Sequence, residues 1–217
     1  MKIAVVTGAS SGLGREFVRR ISEEEKDIDE IWAIARRREK LEELSSISDK
    51  PVRAISLDLI EPASIDRLEE MYEEEHPEVG ILINAAGFGK IGNYKKVGRQ
   101  DSDRMIELNC RAAVDVTAVS LPYMKKGDRI LEICSTAAFQ PFQILSIYAA
   151  SKAFLYRYTR ALRTELLLTG IHVTAVCPYW IKDTEFISVV KSTEGEKKDI
   201  RHFPLASHVK NVARMAV

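Results

Sequence analysis

The sequence predicts an α/β fold in which helices cover both faces of a parallel sheet. Short apolar runs alternate with amphipathic segments along the chain, and a glycine-rich turn joins the first run to the first amphipathic segment. The chain has 217 residues, of which 46% are hydrophobic, so it can close one substantial core. No shift in composition marks a second domain. We therefore expect residues 1–217 to form a single domain.

The first predicted strand spans residues 2–7 (KIAVVT), a β-branched apolar run typical of a strand buried on both faces. The turn GASSGLG follows at once. In the next segment, Phe17, Val18 and Ile21 share one stripe and charged residues occupy the rest, which predicts an amphipathic helix. This strand, turn and helix form the first half of a parallel unit.

The same alternation continues to the end of the chain. Further strands are predicted at 30–35, 52–58, 79–86, 129–135 and 172–178. Helices are predicted for RREKLEELSSI, for PASIDRLEEMYEEE with its early proline, for about 101–124 and for SHVKNVARMAV. Strands that alternate with helices in this way indicate a doubly wound sheet.

Charge and cysteine content restrict the class of partner. Lysine plus arginine equals aspartate plus glutamate, so no overall field favours nucleic acid or a membrane surface. No apolar run approaches membrane-spanning length. The three cysteines are odd in number and lack metal-type spacing, and the four histidines are scattered, so we expect reduced thiols, no metal site and a cytoplasmic protein whose partner is a small molecule.

Glycines 8, 12 and 14 lie between a buried strand and a helix N-terminus, where free N–H groups and the helix dipole attract a phosphate. Their spacing differs from the usual dinucleotide fingerprint and from the Gly-Lys phosphate loop. A tight turn that needs left-handed glycines is the alternative. The strand-to-helix context favours nucleotide binding.

A basic stretch follows the second predicted strand. Dinucleotide folds place an acid there for a ribose 2′-hydroxyl, or an arginine where that hydroxyl is phosphorylated. Here Arg36, Arg37 and Arg38 precede the first acid, Glu39. Three cations at a helix start oppose its dipole unless an anion is near. NADP is therefore preferred over NAD, with Arg36 the best candidate and Arg15 the second; an exposed basic turn is the alternative.

Tyr148 and Lys152 are four residues apart, so they share one helix face. A nearby ammonium favours the phenolate and lowers the pKa of a tyrosine, which makes Tyr148 a candidate general acid and base. Ser135 ends the fifth predicted strand and could hydrogen-bond a carbonyl oxygen at the same centre. Such Tyr and Lys pairs are also common on helix surfaces, so the pair needs support from other motifs.

Five motifs occur in order along the chain: Thr7-Gly8-Ala9-Ser10-Ser11-Gly12-Leu13-Gly14, Asn84-Ala85-Ala86-Gly87, Asn109, Ser135 and Tyr148-Ala-Ala-Ser-Lys152. With these motifs the chain resembles the classical short-chain dehydrogenases/reductases. The resemblance covers essentially the whole chain. It implies a Rossmann-type fold, hydride exchange between a nicotinamide cofactor and a carbonyl or alcohol, and a homodimer or homotetramer.

The resemblance also implies residue roles. Tyr148 would exchange the substrate proton, Lys152 would lower its pKa and hold the nicotinamide ribose, Ser135 would fix the substrate oxygen, and Asn109 would support a proton relay. The implied cofactor contacts are Gly8, Ser10, Ser11, Gly12, Leu13, Gly14, Arg36, Asp58, Leu59, Asn84, Ala85, Gly87, Tyr148, Lys152 and Ile181. Asp58 is expected at the adenine amino group, and Ile181 at the carboxamide.

Two departures from the family pattern stand near the C-terminus. Pro178 is followed by Tyr179 and Trp180 where the family usually has a glycine, and Thr184 comes one residue late, so we leave it out of the site. The family usually continues into a seventh strand, which this sequence lacks after its last helix. We expect either a truncated form or a reduced member, with an exposed sixth strand and lower stability or altered assembly.

The substrate is not determined by these motifs. Aromatic residues flank the predicted centre and favour an apolar carbonyl compound, although loop packing explains them equally: Phe88, Phe139, Phe142, Trp180 and Phe186. Residues 183–204 are expected to form a lid. Two other functions stay open. One is a cofactor sensor without turnover, and the other is an epimerase or dehydratase, which would require a longer substrate domain.

Overall fold

The computed structural model describes residues 1–184 and 206–216. Within these ranges six strands form one parallel sheet in the order β3-β2-β1-β4-β5-β6. The strands are β1 (Lys2–Thr7), β2 (Glu30–Ala35), β3 (Val52–Ser56), β4 (Glu78–Asn84), β5 (Arg129–Ile133) and β6 (His172–Val176). The predicted Rossmann-type, doubly wound parallel sheet is confirmed, and the described residues contain no seventh strand.

The helices lie between the strands as predicted. They are α1 (Gly12–Glu24), α2 (Arg38–Glu42), α3 (Pro62–Glu75), α4 (Arg99–Ile106), α5 (Ala112–Ser120), α6 (Ser146–Glu165) and α7 (Val209–Ala216). The long helix predicted near 101–124 runs without a break from Arg99 to Ser120, with a π-helical turn at Glu107–Arg111 between α4 and α5, and it ends before its predicted limit. The helix predicted after β2 is also shorter, since α2 gives way to a 3₁₀ turn at Glu43–Ser46.

Each strand from β3 to β6 ends two residues before its predicted limit. The apolar character continues beyond the last paired residue because these residues line a cavity instead of joining the sheet. Leu57 follows β3, Ala85 and Ala86 follow β4, and Cys134 follows β5 in this way. The residues just beyond the last paired positions therefore mark the edge of the sheet that faces the cavity.

Alternate residues of β1 pack on opposite faces of the sheet, as the period of a strand requires. Ile3 and Val5 belong to a core with residues of α3, α5 and α6, whereas Ala4 and Val6 belong to a second core with α1 and α7. All four are fully buried. The strand is thus covered on both faces, which explains its continuous apolar run.

The central strand β1 lies between β2 and β4, where the winding of the chain reverses. In open α/β sheets, ligands bind in the crevice outside the carboxyl ends of the strands at this point. The two carboxyl ends are joined by the main-chain N–H of Ala86, which donates to the Thr7 hydroxyl over 3.1 Å. None of the described helices has the length and apolarity that a membrane span requires.

Candidate active site

The glycine turn after β1 is shaped by close backbone contacts. Gly8 and Gly12 have φ of 67° and 53°, in the left-handed region that favours glycine. A Cβ on Gly8 would lie 2.8 Å from the Ala86 nitrogen, and one on Gly14 would lie 2.3 Å from the Gly8 carbonyl oxygen. Gly8 and Gly14 are therefore required by packing as well as by any ligand.

The same turn presents main-chain donors. Arg15 N makes the first hydrogen bond of α1, to the Ser11 carbonyl over 3.2 Å, so the N–H groups of residues 12–14 precede the helical ladder. The first turn of α1 carries no acidic residue. The N–H groups outside the ladder and the positive end of the helix dipole suit an anion such as a phosphate.

A cavity of about 430 Å³ extends from this turn along the carboxyl edge of the sheet to Tyr148. Most of the residues predicted from the sequence line it. These are Gly8, Ser10, Ser11, Gly12, Leu13, Gly14, Arg36, Leu59, Ala85, Gly87, Ser135, Tyr148, Lys152 and Ile181. Residues as far apart in the chain as Gly8 and Ile181 therefore surround one cavity, which has a cationic end and an apolar end.

Tyr148 lies in the wall of this cavity with 9% of its surface exposed. Burial raises the pKa of its phenol to about 12, and a hydrogen bond with Ser135 partly opposes the rise. The predicted lowering by Lys152 is not the outcome here. The ammonium lies 6.0 Å from the ring centroid and donates elsewhere, so burial dominates and Tyr148 is a protonated acid at neutral pH.

Lys152 is 5% exposed, and its ammonium donates to the Ile133 carbonyl over 2.7 Å. Burial lowers the pKa of Lys152, while Cys134 and Glu132 act in the opposite direction. A Cβ on Gly87 would lie 3.4 Å from the Lys152 nitrogen, so a glycine at that position leaves the ammonium its space. The cation is thus held at the floor of the cavity, one helical turn from Tyr148.

Asn109 is fully buried in the π-helical turn between α4 and α5. Its amide accepts from Phe88 N over 3.0 Å and donates to the Phe88 carbonyl over 2.9 Å and to Ser151 Oγ over 3.0 Å. It does not line the cavity, but its Oδ1 would lie 3.0 Å from a Cβ on Gly87. Asn109 therefore connects the loop after β4 to α6 next to Lys152. Its position in a π-helical turn is common for residues at functional sites.

The Asn84 side chain is directed away from the cavity, so its predicted role as a cofactor contact is not supported by its position. Its amide nitrogen donates to Glu132 Oε1 over 2.8 Å and to Thr117 Oγ1 over 2.9 Å in the interior between β4, β5 and α5. The reason is strand alternation: Asn84 is the last paired residue of β4 and faces the α5 side, whereas Ala85 lines the cavity.

Glu132, which sequence reasoning missed, is fully buried in this cluster. Burial raises the pKa of its carboxyl to about 7, and hydrogen bonds from Asn84 and Thr117 partly oppose the rise. Among the described residues, Glu132 Oε2 and Asn84 Oδ1 have no hydrogen-bond partner. A charged residue within the predicted apolar strand RILEI was the available signal.

The basic stretch after β2 reaches the glycine turn through Arg37 rather than Arg36. Arg37 donates to Ser10 Oγ over 3.2 Å, and both arginines line the cavity. Arg36 is 3.9 Å from Asp58, which lies the same distance from Arg104 and outside the cavity wall. Arg15, the second candidate, does not line the cavity either.

Thr184 lines the cavity although it was left out of the predicted site. Its Cγ2 would be 3.4 Å from a Cβ on Gly12, and its hydroxyl donates to the Ile181 carbonyl over 3.2 Å. Ile181 forms a parallel bridge with Ser207, which brings α7 beside the glycine turn. The threonine one position late therefore still meets the turn, and only spacing argued against it.

The far end of the cavity is apolar. Phe88, Phe142, Tyr179 and Trp180 line it, whereas Phe139 is 58% exposed and packs edge-on against Tyr156. Phe186 and most of the predicted lid at 183–204 lie outside the described residues. The described ranges contain no group of three or more residues suited to a metal ion.

Comparison with known proteins agrees with this geometry. The family model described as short chain dehydrogenase matches residues 2–195. An uncharacterized oxidoreductase of Staphylococcus epidermidis is 28% identical over 211 residues, 96% of this chain and 89% of that protein. The NADP-dependent 3-hydroxy acid dehydrogenase of Salmonella typhi is 31% identical over 198 residues, 90% of this chain and 79% of that protein.

A solved structure shows the same architecture. The short-chain dehydrogenase from Sphingobium yanoikuyae, in complex with NADPH, superposes with a TM-score of 0.84 and 28% sequence identity. The alignment covers 99% of this chain and 82% of that one.

Proposed function

The chain belongs to the short-chain dehydrogenase/reductase family of NAD(P)-dependent oxidoreductases, and from that premise we propose that it transfers a hydride between NADP(H) and a small carbonyl or alcohol substrate. One observation carries the proposal. A single cavity joins the glycine turn and the N-terminus of α1 to Tyr148, Lys152 and Ser135. Anion-binding donors and a proton donor therefore face the same space.

A bound nicotinamide supplies the hydride, and the residues of this chain supply the rest of the chemistry. Ser135 fixes the substrate oxygen through its hydroxyl, next to the phenol of Tyr148, to which it is hydrogen-bonded. Tyr148 donates its proton to that oxygen as a carbonyl is reduced, and takes it back as an alcohol is oxidised. The high pKa of Tyr148 keeps the acid form available at neutral pH.

Lys152 supports Tyr148 by placing a fixed positive charge one helical turn away. As the phenol gives up its proton, negative charge develops near the ammonium and is stabilised by it. The hydrogen bond to Ile133 holds the ammonium in place, and Asn109 braces the Gly87 loop and α6 around it. Asn109 is fully buried, so we propose that it supports a proton relay by positioning Lys152 and not by carrying the proton itself.

NADP is the preferred cofactor in this proposal, with NAD as the alternative. Arg36 and Arg37 line the cavity at the end of β2, where a 2′-phosphate would lie, and Arg37 contacts Ser10 of the glycine turn. Two related proteins support the choice, because one is described as NADP-dependent and the other was solved with NADPH. Thr184 and Ile181 are the proposed contacts at the nicotinamide end.

The substrate is proposed to be an apolar ketone or aldehyde, because Phe88, Phe142 and Trp180 line the cavity near Tyr148. We also propose a cytoplasmic homodimer or homotetramer. Three free cysteines support the location.

The test is to mix the protein with NADPH and a panel of apolar ketones and aldehydes while following the nicotinamide absorbance. We expect NADPH oxidation with part of the panel and much weaker activity with NADH. NADPH binding without oxidation across the whole panel would contradict the proposal and favour a cofactor sensor, the alternative function that keeps the fold.

A further inference from the structure

We propose that Cys134 and Cys177 are a modification site at which a hydroperoxide forms a disulfide beside Ser135. The register between β5 and β6 brings the two cysteines together. Cys134 directly follows β5 and Cys177 directly follows β6, and Cys134 N donates to the Val176 carbonyl over 2.8 Å. Since Ile133 pairs with Val176, this bond continues the parallel ladder and puts Cys134 opposite Cys177.

Register places the two residues at the separation that a disulfide requires. Neighbouring strands lie about 4.8 Å apart, and opposed residues point to the same face of the sheet. Disulfides join Cα atoms that are roughly 4.4 to 6.8 Å apart. Cys134 and Cys177 also pack in one side-chain cluster on this face, together with Ala113 and Leu155.

The two thiols have different environments. Cys134 is 2% exposed and lines the cavity, whereas Cys177 is half-buried. Interaction between the two thiols lowers the pKa of Cys177 and, together with burial, raises that of Cys134, and the Lys152 ammonium lowers both. Cys177 is thus the nucleophile, because a thiolate beside a cation reacts fastest with oxidants.

The chemistry takes two steps. The Cys177 thiolate attacks a hydroperoxide, the O–O bond breaks, and with one proton the products are an alcohol, or water from hydrogen peroxide, and a sulfenic acid on Cys177. The Cys134 sulfur then attacks that sulfenic sulfur, and the hydroxyl leaves with the Cys134 proton as water. The two thiols lose two electrons and the hydroperoxide gains them.

The disulfide would lie between two segments that line the substrate end of the cavity. Cys134 precedes Ser135, and Cys177 precedes Pro178, whose carbonyl accepts from Thr136 N over 3.1 Å. Drawing the sulfurs together shifts Ser135 relative to Tyr148. A misplacement of about 1 Å can cost on the order of 100-fold in rate, so we expect turnover to fall by about tenfold or more.

Trypsin separates the three cysteines of the chain into different peptides, residues 105–111, 130–152 and 164–182. The protein is treated with hydrogen peroxide, alkylated, and digested without reduction. We expect a linked pair of the second and third peptides, a fall from three free thiols to one, and reversal by dithiothreitol. Three remaining thiols, or lost thiols without this link, would overturn the proposal.

Cys177→Ser is expected to abolish the link, while the matched control Cys110→Ser keeps it, because Cys110 donates to the Ser151 carbonyl instead. Loss of NADPH oxidation should follow link formation in the same samples, and an unchanged rate in fully linked protein would refute the effect on turnover. The rate measurement rests on the proposed function. Thiol counts and peptide masses do not depend on that function, so they test the disulfide even if the protein does not oxidise NADPH.

Discussion

The ammonium of Lys152 donates to the main-chain carbonyl of Ile133 over 2.7 Å, which joins α6 to the last paired residue of β5. Residues 19 positions apart in sequence are thereby held together at the floor of the cavity. The bond gives the buried lysine a defined position. One helical turn earlier, the Tyr148 hydroxyl is hydrogen-bonded to Ser135.

Replacement of Tyr148 by phenylalanine should abolish proton transfer and leave the cavity shape unchanged. We expect kcat to fall on the order of 100- to 10,000-fold, because that is the usual contribution of a positioned acid or base. Cofactor affinity, measured by fluorescence titration with NADPH, should change little. Tyr156→Phe, on the same helix but outside the cavity wall, is the control. Substantial residual turnover in Tyr148→Phe would remove the proposed role.

The two directions of the reaction should differ in pH dependence. The pKa of Tyr148 is raised to about 12, so the phenol remains protonated through neutral pH and can donate in carbonyl reduction. Alcohol oxidation needs the phenolate, whose population rises with pH. We expect initial rates of reduction to be flat between about pH 6 and 8, and oxidation to rise steadily above neutrality. An oxidation rate independent of pH would contradict this assignment.

Arg36→Ala and Arg37→Ala should each weaken NADPH binding much more than NADH binding. A hydrogen bond to a charged group contributes about 1.5 to 3 kcal/mol, so the Kd for NADPH should rise on the order of tenfold or more. Arg38→Ala is the control, since Arg38 pairs with Glu42 over 2.9 Å and does not line the cavity. Calorimetric Kd values that shift equally for both cofactors would exclude a 2′-phosphate contact.

Glu132→Gln should remove a pH dependence of stability. Burial raises the pKa of Glu132 to about 7 from 4.5, so the folded protein binds this proton more tightly than the unfolded chain. The resulting stability is complete below pH 4.5 and is lost as pH rises towards 7. The loss is on the order of 3 kcal/mol, since one pKa unit is about 1.4 kcal/mol.

Glutamine keeps an acceptor for Asn84 and Thr117 but carries no charge. Urea unfolding at pH 5 and pH 8 should therefore show the wild-type protein losing stability and Glu132→Gln retaining it. Glu69→Gln, at an exposed position of α3, should behave like the wild type. If both variants follow the wild-type curve, the Glu132 carboxyl does not titrate in this window.

Gly14→Ala should destabilise the fold irrespective of cofactor, because the new Cβ would lie 2.3 Å from the Gly8 carbonyl oxygen. Overpacking of this kind costs about 1 to 3 kcal/mol. Gly98→Ala is the control, as nothing lies within 4 Å of its added Cβ, and it should cost under about 1 kcal/mol through poorer capping of α4. Equal melting temperatures for both variants would count against the contact.

Local signals account for much of the site that could be predicted. Residue type and short-range period predict the glycine turn, the helical spacing of Tyr148 and Lys152, and the order of strands along the chain. Each of these features is found at its predicted position. The family's residue spacing is a less reliable guide. It excludes Thr184 from the predicted site because of a shift of one position, yet Thr184 lies against Gly12. The sequence favours Arg36, but it does not show which arginine side chain turns towards Ser10, and in the structure that residue is Arg37.

By itself, the sequence determined the α/β alternation, the glycine turn at the start of α1 and the helical spacing of Tyr148 and Lys152, because each depends on neighbouring residues and their period. Only the tertiary structure decided that Asn84 faces Glu132 instead of the cavity, that Glu132 lies buried near Lys152, and that Cys134 stands opposite Cys177. These relationships depend on strand order and register between segments far apart in the chain, which no local pattern encodes.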